Sequence, residues 1–318
     1  MDPATLTLAT AYGLDLVLGD PRWLPHPVRG LGWAIRRGEQ MLRKWILNEV
    51  WAGWLLVIGI TGGTYCIVKT ILWSAGMISP WVAVGCEIAL LYACLSTKDL
   101  AVESWPVYRT LKQKNLPEAR AKVSRIVGRD TGSLSEVEVV RATVETIGES
   151  LMDGIIAPLF YAVMGGVPLA CLYKAVNTLD SMVGYRSARY VKFGKAAALV
   201  DTWLNLIPAR ITAWLIAVAA WGIGFDGWES IRVTYRDAWD SGQNSWIPEA
   251  AMAGALGVQC GGTNFYQMVP VETPLLGDPK RPCEAEVIPQ AIRLMYACSL
   301  TGAVTAVMTR WCVWRVAG

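Results

Sequence analysis

Lys174, Asn177, Asp180 and Ser181 are the residues of this 318-residue chain best suited to chemistry, because they fall three and four positions apart in the segment YKAVNTLDSMVG, Tyr173 to Gly184. At that spacing an amine, an amide, a carboxylate and a hydroxyl share one face of a helix, while Val176, Leu179 and Val183 take the other. A Lys or Asp facing lipid costs roughly 2.5 kcal/mol or more, so this face must meet protein, water or a ligand. With Arg186 and Arg189 just beyond, the set offers one ammonium and two guanidiniums for the oxygens of a phosphorylated anion, beside a carboxylate that can share a metal. A purely structural polar network is the competing account, and the cost of burying these groups weighs against it.

A second stripe, Arg141, Glu145, Glu149 and Asp153, repeats every four residues and leads into an apolar segment. Its carboxylates suit Mg²⁺, a hard cation that takes oxygen ligands and shares its coordination with substrate phosphates. For Arg141 and Glu145 the expectation is a solvated face with intrahelical pairs; for Glu149 and Asp153, at the edge of the apolar segment, it is function. Asp201, Asn205 and Arg210 around Pro208 form a third, weaker set. In GRDT, Gly128 to Thr131, Arg129 could reach a phosphate, while Gly128 would end one helix and Asp130 or Thr131 cap the next. His26 is the only histidine, which excludes a His-based triad and a multi-His metal site. Neither a P-loop nor a GxGxxG fingerprint occurs.

The elements that must position these groups belong to a membrane. Hydrophobic residues make up 53% of the chain and charged residues only 17%, with 16 Trp, and mean hydropathy is +0.35; this is too apolar for an ordinary soluble domain. A net charge of +3 with no basic run excludes nucleic acid as a partner. The eight cysteines contain no CxxC pair, so they indicate neither a disulfide frame nor a zinc site and read as small buried hydrophobes. The N-terminus lacks a basic leader, and the first apolar segment is expected to be retained.

Spans over about 52–73 and 80–97 form a helical hairpin, its tip at Ser74–Ser79 and both basic flanks cytoplasmic by the positive-inside rule. Residues 98–150 read as a helical cytoplasmic insert. The apolar segment Ile155–Val176 is broken by Gly165, Gly166 and Pro168, and a re-entrant pair of half-helices keeps the basic residues after it inside. Further spans lie at 211–225 and 288–313, separated by a loop-rich, acidic aqueous segment at 226–289. The expected architecture is thus an all-α polytopic membrane protein with re-entrant or broken helices, one membrane-embedded domain over 1–318.

Six ordered blocks carry a resemblance: DLVLGDPRWLPHPVR, VGRDT, DGIIAPLF, YKAVNTLDSMVGYR, IPARIT and PEAAMAGALGV. Together they resemble the adenosylcobinamide-phosphate synthase (CobD/CbiB) family of cobalamin biosynthesis, over about Gly13 to Asp278. The resemblance implies a multi-pass enzyme of the cell (inner) membrane that joins (R)-1-amino-2-propanol phosphate, or a related amino alcohol, to adenosylcobyric acid. ATP would be the co-substrate and Mg²⁺ the cofactor, with the corrinoid, the amino-alcohol phosphate, the bilayer and other cobalamin-pathway enzymes as partners. Glu149, Asp153 and Asp180 would hold Mg²⁺. Lys174, Asn177, Asp180 and Ser181 would form the catalytic face, and Arg129, Arg186, Arg189, Asn244 and Glu249 would bind substrate and phosphate. The chain departs from the family pattern at Ser150–Leu151, where Asn and Thr are usual, at Val200–Thr202, and at Asp240–Ile247, where a His and two prolines are replaced. Those departures keep an alternative open: a non-catalytic membrane sensor or binding paralogue, AmpE-like, on the same scaffold. Retention of Glu149, Asp153 and Asp180 beside Lys174 favours the enzyme.

Overall fold

The computed structural model describes residues 3–21, 27–185 and 187–317, the side chains of 314, 316 and 317 excepted. Twelve α-helices occur among them: α1 (Pro3–Leu18), α2 (Pro27–Trp45), α3 (Glu49–Ile78), α4 (Pro80–Tyr92), α5 (Thr97–Lys112), α6 (Leu116–Val123), α7 (Glu136–Leu151), α8 (Ala157–Val183), α9 (Lys195–Ile223), α10 (Gly227–Val233), α11 (Trp246–Leu256) and α12 (Val287–Ala317). Single π-helical turns occupy Met152–Ile156 and Thr234–Ala238, and two strands, β1 (Cys260–Tyr266) and β2 (Val269–Leu276), pair antiparallel.

Among the described residues, five helical segments are long and apolar enough to cross a membrane: Glu49–Ile78, Pro80–Lys112, Glu136–Val183, Lys195–Ile223 and Val287–Val313. The expected membrane class is borne out. The second segment is interrupted by a turn at 93–96, between α4 and α5. Trp51, Trp73 and Trp81 are 65%, 68% and 75% exposed near the ends of α3 and α4, where amphipathic rings meet headgroups.

The expected loop at Ser74–Ser79 shrinks to one residue. Helix α3 continues to Ile78, and Ser79, with extended φ −168° and ψ 146°, caps both helices: its N–H donates to the Ala75 carbonyl and its Oγ accepts from Trp81 N–H. Pro80 supplies the stop, since its ring excludes helical geometry for the residue before it and suits the first turn after it.

The chain divides into two compact units. The first comprises Met1–Ser96, Asp153–Leu206 and Ala303–Gly318; the second comprises Thr97–Met152 and Ile207–Gly302. In the first, α3 packs against α2, α4 and α8. Its core joins Ile35, Leu56, Val57, Leu179, Val183 and Phe193. Here α8 breaks where the sequence predicts: Gly165 and Gly166 leave helical geometry, with φ +72° at Gly166, so two half-helices meet at that point.

The second unit is built on α7 and α11. A capping box starts α7, Ser135 Oγ accepting from Glu138 N–H while the Glu138 carboxylate accepts from Ser135 N–H. Gly148 lets α11 approach closely: a Cβ there would lie 3.2 Å from the Pro248 carbonyl oxygen and the Glu249 Cα. The segment 226–289, expected to be loop-rich, contains α10, α11 and the β-hairpin. The hairpin turn is Gln267–Met268, both left-handed at φ +52° and +65°. These are the dihedrals of a type I′ turn without the Asn-Gly signature that usually reveals one.

Candidate functional site

The first unit holds the α8 face. Val176, Leu179 and Val183 are buried, whereas Lys174, Asn177 and Asp180 are half-buried and Ser181 is exposed. The amphipathic division read from the spacing therefore holds. The Ser181 hydroxyl donates to the Asn177 carbonyl at 2.8 Å, a bond within the helix. Asp153, on the π turn leading into α8, joins this face. Its carboxylate interacts with the Asn177 side chain and with the charges of Lys174 and Asp180.

Asp153 is oriented from behind. The Tyr173 hydroxyl, on a side chain with no solvent exposure, lies 3.1 Å from Asp153 Oδ1 and 2.9 Å from Asn205 Oδ1, and Asn205 Nδ2 donates to Asp201 Oδ2 at 2.9 Å. Buried polar groups are retained when satisfied by such partners, and the chain of contacts fixes the carboxylate in one direction. Sequence reading found Asp201 and Asn205 as an i, i+4 pair; it missed Tyr173, which lies next to Lys174 but points to the buried side. Arg210, grouped with them by spacing, belongs to the second unit, where its Nη2 donates to the Trp239 carbonyl and its guanidinium covers the Trp239 ring.

Helix α8 ends against its own carboxylate. A Cβ at Gly184 would lie 1.9 Å from Asp180 Oδ1, so only glycine permits the Asp180 rotamer. Gly184→Ala is expected to displace Asp180 and, with overpacking costs of about 1–3 kcal/mol, to lower the thermal unfolding temperature in detergent. An unchanged unfolding temperature together with unchanged turnover would show that the Asp180 rotamer does not matter.

Lys174 also opens onto a cavity of about 470 Å³ in the first unit, lined mainly by apolar residues of α2 and α3, with Leu90 of α4, Ala93, Cys94 and Cys171. Arg189 lies elsewhere in that unit. It is exposed, and its Nη2 pairs with Glu39 at 3.1 Å, which also binds Arg43. Arg186 and His26 lie outside the described residues.

The second unit brings Arg129 to Glu145. Arg129 Nη2 meets Glu145 Oε2 at 2.5 Å, Arg129 Nη1 donates to Asn264 Oδ1 at 2.6 Å, and Gly261 N–H donates to Glu145 Oε1 at 2.7 Å. Arg141 Nε stands 3.8 Å from the same carboxylate. Glu145 is 3% exposed, so the expected solvated face is corrected: the hairpin covers it and turns the stripe into a buried ion-pair cluster. Asp130, expected as a helix cap, instead caps the hairpin turn, its Oδ2 accepting from Met268 N–H at 2.7 Å.

Glu249, partly buried in the first turn of α11, feels this cluster. Burial first, then the Glu145 and Glu149 charges, push its carboxyl well above the usual range, against the opposing pull of Arg129. Since the folded value exceeds the unfolded one, the bound proton stabilises the fold at low pH, and that contribution is lost as pH rises through the folded value. Glu249→Gln is therefore expected to raise the unfolding temperature relative to the parent at alkaline pH, the gain vanishing near about pH 4. A gain constant with pH would remove the titration as its cause. Glu149 is exposed on α7 and Asn244 precedes α11, its carbonyl accepting from Ile247 N–H. Among the described residues, no three acidic, His or Cys side chains form a ready metal site.

Comparison with known proteins places these features in context. Residues 8–295 match the family described as CobD/Cbib protein. A cobalamin biosynthesis protein CobD of Geobacter metallireducens is 47% identical, covering 97% of this chain and 98% of the relative. A CbiB of Salmonella typhi is 39% identical over 92% and 93% of the two chains, and a CobD of Clostridium perfringens 39% over 98% and 99%. No solved structure matches.

Proposed function

We propose, from the premise that this chain belongs to the CobD/CbiB family of cobalamin-biosynthesis proteins, that it is a multi-pass enzyme of the cell membrane joining an amino-alcohol phosphate to adenosylcobyric acid at the expense of ATP. The observation carrying this reading is the α8 face, where Lys174, Asn177 and Asp180 meet Asp153. In the proposed reaction a carboxylate oxygen of the corrinoid attacks the γ-phosphorus of ATP and ADP leaves. The amine nitrogen then attacks the acyl carbon, phosphate departs and the amine loses a proton as the amide forms.

Lys174 binds the transferring phosphoryl oxygens and offsets their charge, a role that needs no covalent nucleophile. Asn177 orients the acceptor, and Ser181 extends the same face. Asp153 and Asp180, close enough to interact, fit a Mg²⁺ that takes one or two protein carboxylates and completes its shell with water and phosphate; Glu149, also expected as a ligand, belongs to the second unit. Mg²⁺, when bound, neutralises nucleotide phosphate charge. Arg129 is assigned a lesser part in phosphate binding than its sequence position suggests, because Glu145 and Asn264 already engage it.

The decisive assay incubates protein in nanodiscs with ATP, Mg²⁺, adenosylcobyric acid and aminopropanol phosphate, and follows the corrinoid by mass spectrometry. An ATP-dependent mass gain equal to the amide is the expected result. Corrinoid binding without turnover would overturn it in favour of the sensor or binding reading.

A further inference from the structure

Two thiols face each other beside Lys174. Cys94 Sγ and Cys171 Sγ are 3.8 Å apart, and both side chains are buried, at 4% and 7% exposure. They come from chain segments 77 residues apart, Cys171 from α8 and Cys94 from the irregular turn after α4. Both line the 470 Å³ cavity that Lys174 enters, which gives a small reagent a route to otherwise buried sulfur. Lys174 lines the same cavity, so a cation stands beside the space through which an oxidant would arrive.

The two walls differ in compliance. Cys171 is fixed within a continuous helical turn, next to Ala170 at 0% exposure. Cys94 lies where α4 has ended, its Sγ donating to the Leu90 carbonyl at 3.3 Å, and the same turn is tied to the π turn through Ser96 N–H donating to the Gly154 carbonyl at 3.0 Å. Closing the sulfurs to the bonded distance of about 2.05 Å therefore draws the turn toward α8. Asp153 adjoins Gly154, and Lys174 stands one helical turn after Cys171, so both charged groups of the α8 face lie beside that movement.

We propose that Cys94 and Cys171 form a reversible dithiol–disulfide pair that responds to hydroperoxide and controls access to Lys174. The sulfur of one cysteine attacks the peroxide oxygen, its proton and the departing hydroxide leave as water, and a sulfenic acid remains. The second sulfur attacks the sulfenic sulfur, the S–S bond forms and a second water leaves. Two thiols are oxidised and one peroxide is reduced, and a dithiol reductant reverses the exchange. The regulatory consequence rests on the ligase reading, whereas the bond itself does not.

The test uses the full chain in nanodiscs with the other six cysteines changed to Ser. After hydrogen peroxide, intact mass should fall by about 2 Da and non-reducing peptide maps should show 94 linked to 171, reversed by dithiothreitol. Acylation of Lys174 by a small amine-reactive ester, read on its tryptic peptide, should slow in the oxidised form and not in Cys171→Ala. Turnover should fall by up to about a hundredfold, the scale set by misplacing reacting groups by an ångström. Sulfinic acid at Cys94 with no linked peptide would overturn the pair, and a linked peptide with unchanged Lys174 acylation would overturn the control of access. If the reduced protein shows no turnover, the ligase reading fails, while the mapping and acylation results still decide the switch.

Discussion

Lys174→Ala is expected to lower ATP-dependent amide formation by about 10²–10³-fold, the usual effect of deleting one fixed group that stabilises developing charge. The reason lies in the position of Lys174, which shares a half-buried helix face with Asp180 and Asn177 and acts on Asp153. A charge that offsets the transferring phosphoryl group acts chiefly in the transition state, so the loss should appear in kcat more than in KM. Asp180→Asn keeps the shape and removes the charge, and should lose turnover on the same scale while shifting the Mg²⁺ concentration needed for half-maximal rate upward. Both variants must first show parental unfolding profiles in detergent. Two well-folded variants with parental turnover would remove this face from the catalytic site.

Arg129→Met should instead act on stability, with a cost of about 3–5 kcal/mol, the range for leaving one member of a buried ion pair uncompensated. Arg129 and Glu145 retain only 12% and 4% of side-chain exposure, so solvent does not replace the lost partner. Gly261 N–H and the more distant Arg141 would be left to hold the carboxylate. Arg129→Met combined with Glu145→Leu should recover most of the loss, since apolar residues of similar volume often match a buried pair. The measurement is equilibrium unfolding in detergent, with limited proteolysis of the hairpin after Cys260 as the local readout. Parental stability with sharply reduced turnover would instead identify Arg129 as a phosphate ligand.

These expectations separate two kinds of legibility. The α8 face was readable because its polar and apolar residues alternate at helical spacing within twelve positions, and the structure buries Val176, Leu179 and Val183 as that spacing requires. Gly165 and Gly166 announced the break because glycine and a nearby proline weaken a helix wherever they occur. Glu145 was misread for a complementary reason. Its i, i+4 relation to Arg141 is local, but its burial comes from a hairpin more than a hundred residues away, with Gly261 bonding to it across 116 positions.

Composition and local periodicity by themselves determined the membrane class, the main apolar segments, the broken helix and the amphipathic face, and the ordered blocks determined the family. Each of these depends on residues within a few turns of one another, where backbone geometry alone sets the neighbours. Tertiary structure decided what distant partners do: that Arg129 clamps Asn264 from 135 positions away, that Tyr173 orients Asp153, that Gln267–Met268 turns a hairpin, and that Cys94 meets Cys171. Those contacts are set by packing between elements, and no spacing within a single element encodes them.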